Sequence, residues 1–146
     1  MDYEIAAQTD VGTVKKTNQD SIMMKRIFTN LGNMVFAVLC DGMGGLAKGE
    51  LASATVIRAF DKWVNDDLQM ICQNGPGYIE DSVIRAQWES IVANQNQKIK
   101  QYGAGQGVNL GTTVVALLVT DRRYYLMNVG DSRAYLVNDK LIPVSY

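Results

Sequence analysis

No histidine occurs among the 146 residues, and that absence excludes more chemistry than any other feature of the chain. Ser-His-Asp and Cys-His catalysis are ruled out, as is any zinc site that needs imidazole. The two cysteines, Cys40 and Cys72, cannot form a four-thiolate site and are too few for a disulfide framework, so a reducing compartment is the simpler expectation. A cysteine-nucleophile phosphatase loop needs an arginine at the positions where Leu46 and Tyr78 stand. Charge of either sign is also scarce in net terms: 14 Lys plus Arg oppose 15 Asp plus Glu, which gives no long-range attraction to nucleic acid or anionic lipid. No apolar run approaches the roughly 18 residues that span a bilayer. The start, Met1-Asp2-Tyr3-Glu4, is acidic where a signal peptide is basic, so the expected location is cytoplasmic. Carboxylate, glycine and hydroxyl chemistry remains, which points to hard metal ions or phosphate.

What is present suits one globular domain with a sizeable core, at 47% hydrophobic and 20% charged residues. Tyr3 to Thr9 reads as a short first strand and Asp10 to Gln19 as a loop. Ser21 to Phe28 reads as a strand, turning at Asn30-Leu31-Gly32-Asn33 into the apolar run Met34 to Cys40, which suits a strand buried on both faces. A helix is expected from near Glu50, with Val56, Phe60, Trp63 and Val64 on its apolar face. A second runs from about Asp81 to Tyr102, with Ile84, Trp88, Ile91, Gln95 and Ile99 aligned. Gly103, Gly105, Gly107 and Gly111 read as a flexible passage. Thr113 to Thr120, Tyr124 to Val129, Arg133 to Val137 and Leu141 to Val144 follow as a meander of antiparallel hairpins. The order predicts an α+β fold with helices layered on antiparallel sheets. Its stop just after a strand leaves an open edge, so a larger domain is expected.

The most informative segment is Val35 to Gly45, where a buried strand delivers Asp41 into Gly42-Met43-Gly44-Gly45. Glycines there let backbone carbonyls approach an ion, and a carboxylate beside an exposed carbonyl is half of a Mg²⁺ or Mn²⁺ site. Asp-Gly is also a common hairpin signal, but a helix rather than a paired strand follows. Asn18-Gln19-Asp20 precedes a strand and Asp131 follows one; ordinary capping is the alternative for each. Lys15 and Lys16 are placed to meet an anion or simply to be solvated. The stretch Gly42 to Lys48 approaches a phosphate-binding P-loop, yet Ala47 and Gly49 replace the required glycine and hydroxyl.

Together, Thr9-Asp10-Val11-Gly12, Lys15-Lys16-Thr17-Asn18-Gln19-Asp20, Asp41-Gly42-Met43-Gly44-Gly45 with Gly49-Glu50 and Ala52-Ser53, Gly111-Thr112-Thr113, and Asn128 to Tyr135 resemble the PPM (PP2C) family of metal-dependent protein phosphatases in its bacterial form. The resemblance implies an α-β-β-α sandwich, incomplete here, with residues 1–146 as the N-terminal portion of the domain, ending before the later metal-binding motifs. It implies serine/threonine phosphatase activity on phosphoproteins, opposed to a bacterial kinase, with direct attack of water at phosphorus and no phosphoenzyme. It implies two Mn²⁺ or Mg²⁺ ions and a third, weaker one. Asp41 would bridge the two ions, the Gly42 carbonyl would bind the second, Asp20 would orient water, and Asp131 would serve the third. Lys15 stands where the family usually has a phosphate-binding arginine, and Leu46 where bacterial members often have histidine. With the later motifs absent, a non-catalytic regulatory or binding module is the alternative, self-association through open sheet edges is expected, and a half-domain active alone would have to find its missing carboxylates elsewhere, among Glu50, Asp121 and Asp139.

Overall fold

The computed structural model describes residues 3–8, 19–44, 48–137 and 141–143. Strands β1 (Asp20–Thr29) and β2 (Gly32–Gly44) form a hairpin in which Gly32 adopts φ 109°, a left-handed conformation open to glycine. A long helical run follows: α1 (Gly49–Lys62), a π-helical segment (Trp63–Asp67) and α2 (Leu68–Asn74). Then come α3 (Asp81–Gln106), β3 (Leu110–Thr112), β4 (Val114–Val119), β5 (Tyr124–Val129), β6 (Tyr135–Val137) and β7 (Leu141–Pro143). The main sheet runs β1-β2-β4-β5, with β3 also on β2, and β6 pairs with β7 separately.

Strand alternation divides this sheet into two unlike faces. Met34, Phe36, Val38 and Cys40 of β2, with Val114, Ala116 and Leu118 of β4, point at the helices and form the core. There Phe36, Phe60, Trp63 and Trp88 meet with ring centroids 5.6–6.1 Å apart, each such pair contributing about 0.5–1.5 kcal/mol beyond its buried area. The buried residues Ala52, Val56, Phe60, Val64, Leu68 and Cys72 recur every fourth position. An α-helix would rotate that row steadily off the sheet; the wider π-helical turn brings it back. Lys25 pairs with Asp61, and Arg123 reaches the first turn of α3 at Asp81, 2.8 Å away.

Several sequence expectations need correction. Residues 3–8 form no strand. The second strand is not buried on both faces: Ala37, Leu39 and Asp41, on the side away from the helices, are only half-buried. It also continues through Asp41 to Gly44 instead of ending in a loop, because β3 supplies a partner for Gly42–Gly44. Helix α3 runs through Gly103 and Gly105 and stops at Gly107, whose φ of 67° fits glycine and whose neighbour Val108 closes the end by donating to the Gly103 carbonyl at 2.9 Å. The meander breaks after β5, since Arg133 and Ala134 lie outside any strand and β6 pairs only with β7 among the described residues. The described residues thus form one helical layer on one face of an antiparallel sheet, an α+β arrangement.

Candidate functional site

The β1–β2 register sets Asp20 directly opposite Asp41. Directly opposed residues share a face of the sheet, here the one turned away from the helices, and both aspartates are half-buried. Two carboxylates so placed repel each other, and a divalent cation between them reverses that interaction.

Glycine at the end of β2 serves packing. A Cβ on Gly42 would lie 2.0 Å from the Gly49 carbonyl oxygen and 2.7 Å from that of Gln19. The first turn of α1 therefore sits directly on the strand that carries Asp41. The missing side chain of Gly42 thus also admits a helix.

Two hydroxyl residues fix this region, and neither was given a role from the sequence. Ser53 of α1 is fully buried, with its hydroxyl 2.9 Å from the Gln19 carbonyl, 3.1 Å from that of Glu50 and 2.9 Å from Ser21 Oγ. It pins the residues on either side of Asp20 to the helix. Thr113 stands opposite Asp41 on the other edge of β2, donating its N–H to the Asp41 carbonyl at 2.9 Å and accepting the Asp41 N–H on Oγ1 at 3.0 Å. The available signal was a lone serine on an otherwise apolar helix face and a paired threonine beside glycine.

Asp131 is exposed in the turn after β5, and its neighbour Ser132 hydrogen-bonds to Thr113 at 3.1 Å. The turn that bears Asp131 is thereby linked to the residue opposite Asp41. Lys15, Leu46 and Asp139 lie outside the described residues. Glu50 is exposed in the first turn of α1. Asp121 packs by Gly32 at the opposite end of β2, roughly 30 Å from Asp41 at strand spacing, so it belongs to no common site. Burial pushes the Cys40 thiol up to about 12. It is therefore protonated at neutral pH and unsuited to nucleophilic attack.

The donor set fits a hard cation, since carboxylate and carbonyl oxygens are what Mg²⁺ and Mn²⁺ take. It is a partial set: among the described residues no three acidic, cysteine or histidine side chains cluster for a metal. No helix among them is long and apolar enough to cross a membrane.

Comparison with known proteins gives the family of the chain. The protein phosphatase 2C family profile matches residues 12–144. A putative protein phosphatase 2C-type protein of Streptococcus pyogenes is 32% identical over 93% of this chain and 51% of its own length. The serine/threonine protein phosphatase PstP of Mycobacterium tuberculosis is 35% identical over 92% of this chain and 23% of its own. The catalytic domain of PstP, solved in complex with two manganese ions, superposes with a TM-score of 0.70 at 32% identity, covering 96% of this chain and 54% of that one. The chain thus spans about half the length of the streptococcal relative.

Proposed function

The chain belongs to the protein phosphatase 2C family, and from that premise we propose that it forms the N-terminal part of a serine/threonine protein phosphatase domain dependent on Mn²⁺ or Mg²⁺. The observation that carries this reading is the opposition of Asp20 and Asp41 across β1 and β2. The manganese complex of the similar PstP domain supports the choice of metal. When bound, such ions lower the pKa of water and offset charge on the phosphoryl oxygens. Asp41 and Asp20 would hold the ions through their carboxylates, with Asp20 also orienting water, the Gly42 carbonyl would add a ligand, and Asp131 would serve a third, weaker ion. Lys15 holds the substrate phosphate by charge, without the two-pronged grip of a guanidinium, so its contribution is read as KM. Direct transfer of the phosphoryl group to water suits a chain with no histidine and with Cys40 held protonated. The substrates are phosphoproteins of a bacterial serine/threonine kinase, in the cytoplasm.

The test is phosphate release from a phosphothreonine peptide by the complete domain. Release should require Mn²⁺ or Mg²⁺ and stop in chelator; undiminished release in chelator would overturn the mechanism. The second reading, a non-catalytic regulatory module, is favoured by the small acidic set among the described residues. Metal binding without release by the complete domain would select it. The 146-residue chain alone should show little or no release.

The chain alone should also self-associate. Among the described residues the sheet face away from the helices is uncovered and presents Ile22, Met24, Leu117 and Leu126, while Phe28 and Tyr124 on the edge strands are 73% and 53% exposed. Unpaired strand edges and apolar surface both favour a second copy as partner. Size exclusion with light scattering should show a mass that rises with concentration, and a monomer throughout would refute this.

A further inference from the structure

The register of β2 against β3 continues without a shift into β4, which makes Thr113 the partner of Asp41 even though it belongs to neither strand. An ordinary antiparallel pair of this kind exchanges two main-chain hydrogen bonds. Only one is made here, from the Thr113 N–H to the Asp41 carbonyl at 2.9 Å. The other is replaced: the Asp41 N–H donates to the Thr113 hydroxyl at 3.0 Å, while the Thr113 carbonyl accepts the Thr112 hydroxyl at 2.9 Å. A side chain thus completes the ladder at the residue that faces Asp20.

The same hydroxyl lies 3.1 Å from Ser132 Oγ, next to Asp131. Its methyl group fixes the turn from the other side. Gly130 has φ 115°, and a Cβ there would fall 2.6 Å from Thr113 Cγ2. Thr113 itself is 5% exposed. Oγ1 therefore joins Asp41 and the Asp131 turn.

We propose that Thr113 is a positioning residue, whose hydroxyl sets the main chain of Asp41 and the turn of Asp131 relative to one another and so presents both aspartates to metal. The claim rests on the reading of Asp41 and Asp131 as ligands given above. Groups that orient ligands in this way typically alter metal affinity by about 10–100-fold when removed.

The experiment uses the complete domain as wild type, Thr113→Val, Thr113→Ser and Asp41→Asn. Amide hydrogen exchange without metal is followed by NMR, and Mn²⁺ affinity by calorimetry. Thr113→Val keeps the shape and removes the hydroxyl. It should speed exchange at Asp41 relative to Val38 and Cys40 and weaken Mn²⁺ binding about tenfold. Thr113→Ser keeps the hydroxyl and should retain both values. Wild-type exchange and affinity in Thr113→Val would overturn the proposal, as would a serine variant as impaired as the valine one, which would assign the effect to methyl packing on Gly130. Wild-type affinity in Asp41→Asn, or no Mn²⁺ binding by the wild type, would instead overturn the metal reading. Asp41 exchange in Thr113→Val would then decide the positioning claim on its own.

Discussion

Asparagine in place of Asp41 should remove metal-dependent phosphate release from the complete domain without lowering the stability of the fold. The exchange is nearly isosteric, and two hydrogen bonds that hold residue 41 are made by its main chain: its carbonyl accepts from Thr113 and its N–H donates to Thr113 Oγ1. Neither bond needs the carboxylate. What changes is charge, because asparagine leaves Asp20 facing an amide rather than a second anion. In the metal-free protein this relieves repulsion, so the unfolding midpoint should hold or rise slightly. With metal the balance reverses. A divalent ion loses one of the two opposed anionic ligands, and several kcal/mol of transition-state stabilisation corresponds to about 10²–10³ in kcat/KM. Calorimetric Mn²⁺ titration, urea unfolding and phosphate release on the same preparations separate these effects. A variant with full metal-dependent turnover would remove Asp41 from the site, whereas one that simply unfolds would show a lowered midpoint before any metal is added.

Periodicity made the core-forming elements legible. Ile84, Trp88 and Ile99 are buried on α3 as their spacing predicts, and Phe60, Trp63 and Val64 are buried where the first helix predicts them. The extent of β2 was not legible, because nothing in Asp41-Gly42-Met43-Gly44 announces that Leu110–Thr112 will pair with it. Such pairing is a long-range event with no local signature. The glycines of α3 misled for a related reason. Gly103 and Gly105 resemble a helix end by composition, but only Gly107 has the left-handed conformation that ends one, and Gly103 is needed because the Val108 carbonyl would lie 2.6 Å from its Cβ. Asp41 was visible in the sequence by its place after an apolar run, and Asp20 by its place before a strand. That the two oppose each other depends on the hairpin register, and the roles of Ser53 and Thr113 depend on contacts across 34 and 72 residues.

Gly42→Ala should destabilise the chain and weaken Mn²⁺ binding together, because one methyl group strikes the joint between helix and site. The added Cβ would lie 2.0 Å from the Gly49 oxygen and 2.5 Å from its carbon, both main-chain atoms at the start of α1. The strand cannot retreat, since the Gly42 N–H donates to the Gln19 carbonyl at 3.1 Å and that carbonyl would itself be 2.7 Å from the new Cβ. The helix cannot retreat alone either: Gly49 is pressed against Met43 N and Gln19 Oε1, and Ser53 ties the same turn to the Gln19 carbonyl. Relief requires moving α1 and Gln19 as a unit. Overpacking costs about 1–3 kcal/mol where flexible side chains can adjust, and rigid main chain on both sides places this variant at about 3 kcal/mol or beyond. Asp20 follows Gln19 directly, so the same displacement carries its carboxylate out of register with Asp41 and lowers Mn²⁺ affinity. Gly105→Ala is the matched control. It adds the same methyl group within α3, where nothing beyond the helix's own neighbouring backbone lies within 4 Å of the new Cβ, and should stabilise by about 0.5–1 kcal/mol through helix propensity. Urea unfolding of both variants, with Mn²⁺ calorimetry on the folded fraction, makes the comparison. A Gly42→Ala chain within about 0.5 kcal/mol of wild type, the range of an ordinary surface substitution, would refute the close seating of α1 on β2.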